Sequence, residues 1–470
     1  MKRKLIAVAM AALLVASIGA GSYSAQTDKK TRPGPDQNSQ IAKIVSEISA
    51  RNIEAIIKKL VSFRTRHSLS DTASETEGIG AARRWIRSEF DRYSRESGGR
   101  LQVEFDEFTQ QPVARVPKPT QLVNVVATLP GKQPESKDRI YVMSGHYDSC
   151  VCNKDVLDAT STAPGANDDG SGTAAVMETA RVMSRYEFDA TIVFMTVAAE
   201  EQGLLGATHW AEIARQKNLN IGGMFTNDII GSSRAEDGHV DDKHVRVFAE
   251  GVTPPREINS EFRQLIQTGG ENDTPTRQLA RFIKETGEKY VPGFNVTIIY
   301  RRDRYLRGGD HSPFLDRGYP AVRFTEPNED YKHQHQEVRK VEGVQYGDLP
   351  EFVDPKYIAQ VARVNAASLA ALALAPAPPG NVEVETVRLE NDTTLRWAAN
   401  REPDIAGYEI VWRETTAPLW QSSLFTGNVT RYTVKAMSKD NYLFGVRAVD
   451  KDGNTSVAVY PKPYRPQRRQ

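Results

Sequence analysis

The chain has 470 residues, more than one ordinary hydrophobic core takes up, so two or more folded units are expected. Lys and Arg total 61 against 60 Asp and Glu, a balance that leaves a nucleic-acid or anionic-membrane role without electrostatic support and suits small neutral or mixed substrates. Cys150 and Cys152 are the only cysteines. Their C-x-C differs from the separated C-x-x-C pairs of structural zinc, and a local disulfide or two thiols are the expected states.

The segment 1–25 carries Lys2, Arg3 and Lys4, an apolar stretch over 5–18 and then small residues. That is the pattern of a secretory signal, and the apolar stretch is shorter than a membrane span requires. The expected location is therefore secreted or periplasmic, with no transmembrane anchor after cleavage.

Residues 41–63 place Ile41, Ile44, Ile48, Ile53, Ile56, Ile57 and Leu60 at helical spacing and read as two consecutive helices. A third helix over 79–93 puts Ala81, Trp85, Ile86 and Phe90 on one stripe. Strands are expected over 101–108, 123–129 and 140–144, the last running into Gly145-His146-Tyr147-Asp148. From there strand and helix alternate: helix 171–185, strand 191–199, helix 204–216 and strand 223–228. Later strands are expected over 245–249, 294–300 and 321–324, with helices over 277–286 and 357–374. Such alternation predicts an α/β unit over 40–374, a mixed, mainly parallel sheet flanked by helices. The Pro-rich run 375–380 reads as a semi-rigid spacer. Beyond it, over 381–465, alternating segments around Trp397, Tyr408 and Tyr442 predict a small all-β sandwich of seven strands. These cues resemble a fibronectin type III module, a candidate for polymer or surface contact.

Four strand ends carry acid or imidazole. The first is Ser144-Gly145-His146-Tyr147-Asp148, where a carboxylate two residues from an imidazole can accept its second ring N–H. The second is Gly165-Ala166-Asn167-Asp168-Asp169-Gly170-Ser171-Gly172, whose glycines let backbone approach a charged centre. Glu200-Glu201 closes the apolar run 191–199, and Asp228 closes 223–228. Singly, each has an ordinary structural explanation, a helix cap or an Asx turn. Together, one His, several carboxylates and a later His form a ligand set suited to two zinc ions bridged by one carboxylate.

In the order SGHYDS, PGANDDGSG, AAEEQGLLG and TND, these motifs resemble the co-catalytic di-zinc exopeptidases, a clan that includes secreted bacterial aminopeptidases, glutamate carboxypeptidase and glutaminyl cyclases. The resemblance spans residues 52–374 and implies the zinc exopeptidase fold and two Zn ions per chain. It implies metal ligands His146, Asp168 as the bridge, Glu201, Asp228 and a late His. The family's H-x-x-x-(D/E) spacing selects His333 through Glu337, with His335 the competing imidazole. Glu200 matches the general base and Asp148 the acid that orients His146. Gly309-Asp310-His311-Ser312-Pro313-Phe314 resembles a segment that lines or braces such sites, with His311 not a ligand. His67 and His209 read as structural or surface residues. The implied activity is hydrolysis of amino-terminal peptide bonds in peptide substrates. Alternatives on the same scaffold are a glutaminyl cyclase, a carboxypeptidase using Arg301, Arg302, Arg304 or Arg307, and a non-catalytic binding ectodomain.

Overall fold

The computed structural model describes residues 30–252 and 259–464; the expected signal over 1–25 lies outside them. The apolar run near the start is split in two by a cap. Helix α1 (Ser39–Glu47) begins where the Asn38 side chain accepts from the amides of Gln40 and Ile41, and α2 (Ala50–Val61) begins where Ser49 accepts from Asn52. Helix α3 (Gly78–Glu96) then leads into the strands β1 (Gln102–Gln110), β2 (Thr120–Leu129) and β3 (Arg139–His146). Strand and helix alternate through α4 (Gly170–Met183), β4 (Thr191–Val197), α5 (Leu205–Gln216), β5 (Asn220–Asn227) and β6 (His244–Phe248). There follow α6 (Ser260–Gln267), α7 (Pro275–Tyr290), β7 (Asn295–Ile299), α8 (Ser312–Asp316) and β8 (Ala321–Thr325). A short hairpin, β9 (Arg339–Val341) and β10 (Val344–Tyr346), precedes α9 (Pro355–Leu374).

Strands β1 to β8 form one sheet of eight, in the order β1-β2-β4-β3-β5-β8-β6-β7. The centre is parallel, and antiparallel pairing enters at β1/β2, β2/β4 and β6/β8. Alternation of side chains along the strands divides the core. Val125, Tyr141, Met143, Phe194 and Phe225 pack with α1 to α4, α7 and α9, whereas Val126, Val142, Val193, Met195 and Met224 pack with α5 and α8 on the other face. Helix α9 is long and apolar enough to cross a membrane, yet most of it is buried in this core. Three elements were not evident in the sequence. Helix α6 buries no residue, and α8 and the hairpin are too short for a periodicity to develop.

Beyond α9 come β11 (Glu383–Glu385), β12 (Thr393–Arg396), β13 (Ile405–Glu414), β14 (Ser422–Gly427), β15 (Arg431–Val434), β16 (Tyr442–Asp450) and β17 (Lys462–Tyr464). They make sheets of four and three strands around Leu395, Trp397, Tyr408, Phe444 and Val446. The expected spacer is pinned rather than free: buried Arg139 donates to the carbonyl of Ala375 and lies 3.6 Å from Glu402. The two units also share a buried ionic cluster. Asp273, just ahead of α7, accepts from Arg281 at 2.9 Å and from Arg413 of β13 at 2.7 Å.

Candidate metal centre

The strand order explains why the motifs meet. Strand β3 is flanked by β4 on one side and β5 on the other, both parallel to it. Their carboxyl ends therefore lie side by side where the chain's winding reverses, the crevice in which open α/β sheets bind ligands. His146 ends β3, Glu200 and Glu201 follow β4, and Asp228 follows β5. Asp168 comes from the loop before α4. The first turn of α4 packs closely against β5 because of its glycines: a Cβ on Gly172 would lie 2.1 Å from the carbonyl oxygen of Asn227.

His146 Nε2 lies 3.1 Å from Asp168 Oδ1 and 3.9 Å from Asp228 Oδ1. Its Nδ1 faces Asp148, 3.2 Å from the carbonyl and 3.5 Å from the carboxylate. The Asp148 carboxylate accepts from the amides of Glu200 at 3.3 Å and Glu201 at 3.2 Å, so one acid braces both the imidazole and the Glu-Glu turn. Asp169 is used internally, accepting from the amides of His146 and Gly172, each at 2.9 Å.

Of the two late histidines the structure brings His335, and not the expected His333, to the carboxylates. His335 Nε2 lies 2.9 Å from both Asp168 Oδ2 and Glu201 Oε1. His333 instead stacks on Phe352 with ring centroids 3.6 Å apart and faces Asp330. The backbone decides between them, because His335 adopts a left-handed φ of 59° that turns this loop, and residues held there cluster at functional sites. Neighbouring Gln334 also donates to Asp168 Oδ2 at 2.9 Å.

The donor set fits a divalent cation. Ligand atoms of His146, Asp168 and Asp228 lie within 4.8 Å of one another, as do those of His146, Glu200 and Glu201. His146 Nε2 and Glu201 Oε1 are buried and, although 3.1 Å from Asp168 and 2.9 Å from His335, make no well-aligned hydrogen bond. Burial opposes charge on His146, but Asp148 and Asp168 raise its pKa well above the usual range. His335 is raised likewise against its burial, by Glu201 and Asp168. Burial also raises Asp168, but the two imidazoles hold it well below the usual carboxylate range. Burial first, and then Asp228, Glu201 and Asp310, push Glu200 well up. Such a crowd of acids gathered around two imidazoles is what a bound cation would neutralise.

Several contributors carried no sequence signal. Arg66, in a loop without periodicity, is fully buried and donates to the carbonyls of Tyr147, Pro164 and Gly165, tying the two ligand-bearing loops together. Arg323 on β8 is also fully buried and bridges Asp228 at 2.9 Å to Asp303 at 3.0 Å. Asp348 accepts from the amide of Asp168 at 2.7 Å. Asp310 is buried with both oxygens unpartnered, and burial pushes its carboxyl up to about 8. His311 faces the carbonyl of Arg302 at 2.8 Å. His67 contacts Val156 and Gln202, and His209 stacks on Phe108.

A mixed sheet carrying histidine and carboxylates at the ends of adjacent strands defines the class, the zinc exopeptidase fold. The chain belongs to peptidase family M28, whose sequence profile matches residues 124–349, and it is a zinc metalloprotease of that family. A protein of Leptosphaeria maculans named "Probable zinc metalloprotease" is 50% identical over 432 residues, 92% of this chain and 98% of that protein. Another of that name, from Pyricularia oryzae, is 48% identical over 434 residues, 91% of this chain and 85% of that one. Among solved structures, the LapA aminopeptidase of Legionella pneumophila shares the fold, with a TM-score of 0.50 at 20% identity over 74% of this chain and 78% of that one.

Proposed function

We propose that the protein is an exported aminopeptidase with two zinc ions per chain. His146 and Asp228 would hold one ion, Glu201 and His335 the other, and Asp168, which faces both imidazoles, would bridge them. When bound, zinc supplies Lewis acidity and lowers the pKa of water towards neutrality. The observation that carries the reading is the divergence of two adjacent acids. Both line an open groove of about 560 Å³ with Val113, Arg115, Leu204 and Gly308, but Glu201 is buried and faces His335 at 2.9 Å, whereas Glu200 is the more exposed of the two. From that position Glu200 takes a proton from the attacking water and returns it to the leaving amine. Asp148 keeps Glu200 and Glu201 in register through their amides.

The carboxypeptidase reading loses support from the arginines. Arg302 is paired with Glu250 and Asp316, Arg304 with Asp303 and Glu329, Arg307 with Glu329, and Arg301 lies over the Tyr305 ring. A cyclase with a single ion would leave half of the donor set unused. The β unit after α9 is taken as a fibronectin type III-like module, and the 1–25 segment as a cleaved signal.

Metal analysis of the purified chain and its variants tests the assignment, alongside turnover of amino-acid p-nitroanilides and amino-blocked peptides. Glu200→Gln is expected to keep its zinc while activity falls by about 10²–10⁴-fold. Glu201→Ala and His335→Ala should lose part of the metal, and His333→Ala should keep it all. Equal metal loss in the Glu200 and Glu201 variants would overturn the division of roles, and cleavage of only the amino-blocked peptides would overturn the aminopeptidase.

A further inference from the structure

Cys150 and Cys152 form a disulfide, and nothing in the reaction above uses either sulfur. Cys150 is buried directly beside the ligand cluster. Its Sγ lies within 4.8 Å of a carboxylate oxygen of Glu201 and a ring nitrogen of His335, themselves within that distance of each other. Glu201 is only 5% exposed, and its Oε1 faces His335 Nε2 at 2.9 Å without a well-aligned hydrogen bond. The C-x-C turn is also tied to the histidine loop. The Asn153 amide donates to the carbonyl of His335 at 3.3 Å, and Lys154 pairs with Glu337 at 2.7 Å. Sulfur, imidazole and carboxylate thus converge on one space, and that combination is a zinc donor set in which the thiolate is the softest ligand.

We propose that Cys150 is a latent metal ligand: the disulfide withholds its sulfur from the Glu201/His335 position, and reduction releases a fourth protein donor there, beside Glu201, His335 and the bridging Asp168. This rests on the reading of Glu201 and His335 as metal ligands. The reductant is a dithiol. One of its thiolates attacks the sulfur of Cys152, the more exposed of the pair, forming a mixed disulfide and expelling Cys150 as thiolate. The second thiol of the reductant then displaces Cys152, so two electrons and two protons pass to the protein and the reductant leaves as its own disulfide. Cys150 binds the cation as thiolate, its proton remaining with solvent. A thiolate at that position adds negative charge and weakens the Lewis acidity of the ion it joins. The reduced protein therefore holds metal there more tightly and turns over more slowly.

The test uses the full chain, stripped of metal and titrated anaerobically with Co(II). Visible d–d bands report binding by nitrogen and oxygen donors, and a near-ultraviolet charge-transfer band reports sulfur. Cys152→Ser, which leaves Cys150 as a thiol without any reductant, is expected to show the sulfur band. Reduced and desalted wild type should show it too. Oxidised wild type and Cys150→Ser, the latter with or without reductant, should show d–d bands alone. If Cys152→Ser and the reduced wild type bind Co(II) with d–d bands and no sulfur band, the proposal fails while the metal assignment survives. If no form develops d–d bands, the metal assignment fails and the proposal with it.

Discussion

Replacing Asp273 by Ala should detach the β unit from the catalytic unit. The carboxylate is fully buried and accepts from Arg281 Nη1 at 2.9 Å, Arg413 Nη2 at 2.7 Å and Gln278 Nε2 at 2.8 Å. Without it, two guanidinium groups that are 1% and 3% exposed face each other with no counter-charge. Removing one partner from a buried ionic cluster costs about 3–5 kcal/mol, most of it the desolvation of the charges left behind. Arg413→Met removes one cation but leaves Asp273 paired with Arg281 and Gln278, so it should cost less. The double variant should cost less than the two singles added, by about 0.5–3 kcal/mol. Urea unfolding followed by tryptophan fluorescence reads this directly, because Trp397, Trp412 and Trp420 lie in the β unit and Trp85 and Trp210 in the catalytic unit. The wild type should unfold in one transition, and Asp273→Ala in two, the β unit first. A single transition with a loss below about 1 kcal/mol would refute the idea that the cluster couples the units.

Arg323→Met should weaken metal binding about 10–100-fold, because its guanidinium anchors Asp228 from behind; chelator competition measures this, and unchanged affinity would show that Asp228 needs no brace. Gly172→Ala forces a Cβ to 2.1 Å from the Asn227 carbonyl and 2.5 Å from the Asp169 carboxylate, so a clear drop in melting temperature is expected, larger than for Gly238→Ala at a strained but open turn. Burial raises the Asp450 carboxyl to about 6, so the folded chain binds that proton more tightly than the unfolded one. Its contribution to stability is then complete below the usual carboxylate pKa and is lost as pH rises through about 6. Asp450→Asn should flatten that part of the stability profile in denaturant titrations between about pH 4 and 6.5.

Much of the site was legible because its donors sit at strand ends, where an apolar run stops and a charged residue follows. Val142, Val193 and Met224 mark the three central strands, and His146, Glu200 and Asp228 fall just where each gives way to a loop. The late histidine was not legible in that way. His333 and His335 share one aperiodic loop, and the spacing usual in the family it resembles pointed to the former, while the left-handed turn at His335 presents the latter to Asp168 and Glu201. Arg66 and Arg323 were silent for a related reason: each acts through partners far along the chain, such as Gly165 and Asp228.

Local chemistry, written residue by residue, was enough to determine the α/β alternation, the switch to β structure after the Pro-rich run and most of the residues gathered at the candidate metal centre. These features depend on periodicity and on neighbours within a few positions. Tertiary structure alone decided the strand order that gathers the donors, the choice of His335 and the sulfur placed beside Glu201. It also decided the docking of Arg413 onto Asp273, 140 positions away. Each of these is a contact between distant segments, whose energy depends on burial and on exact partners that no local pattern encodes.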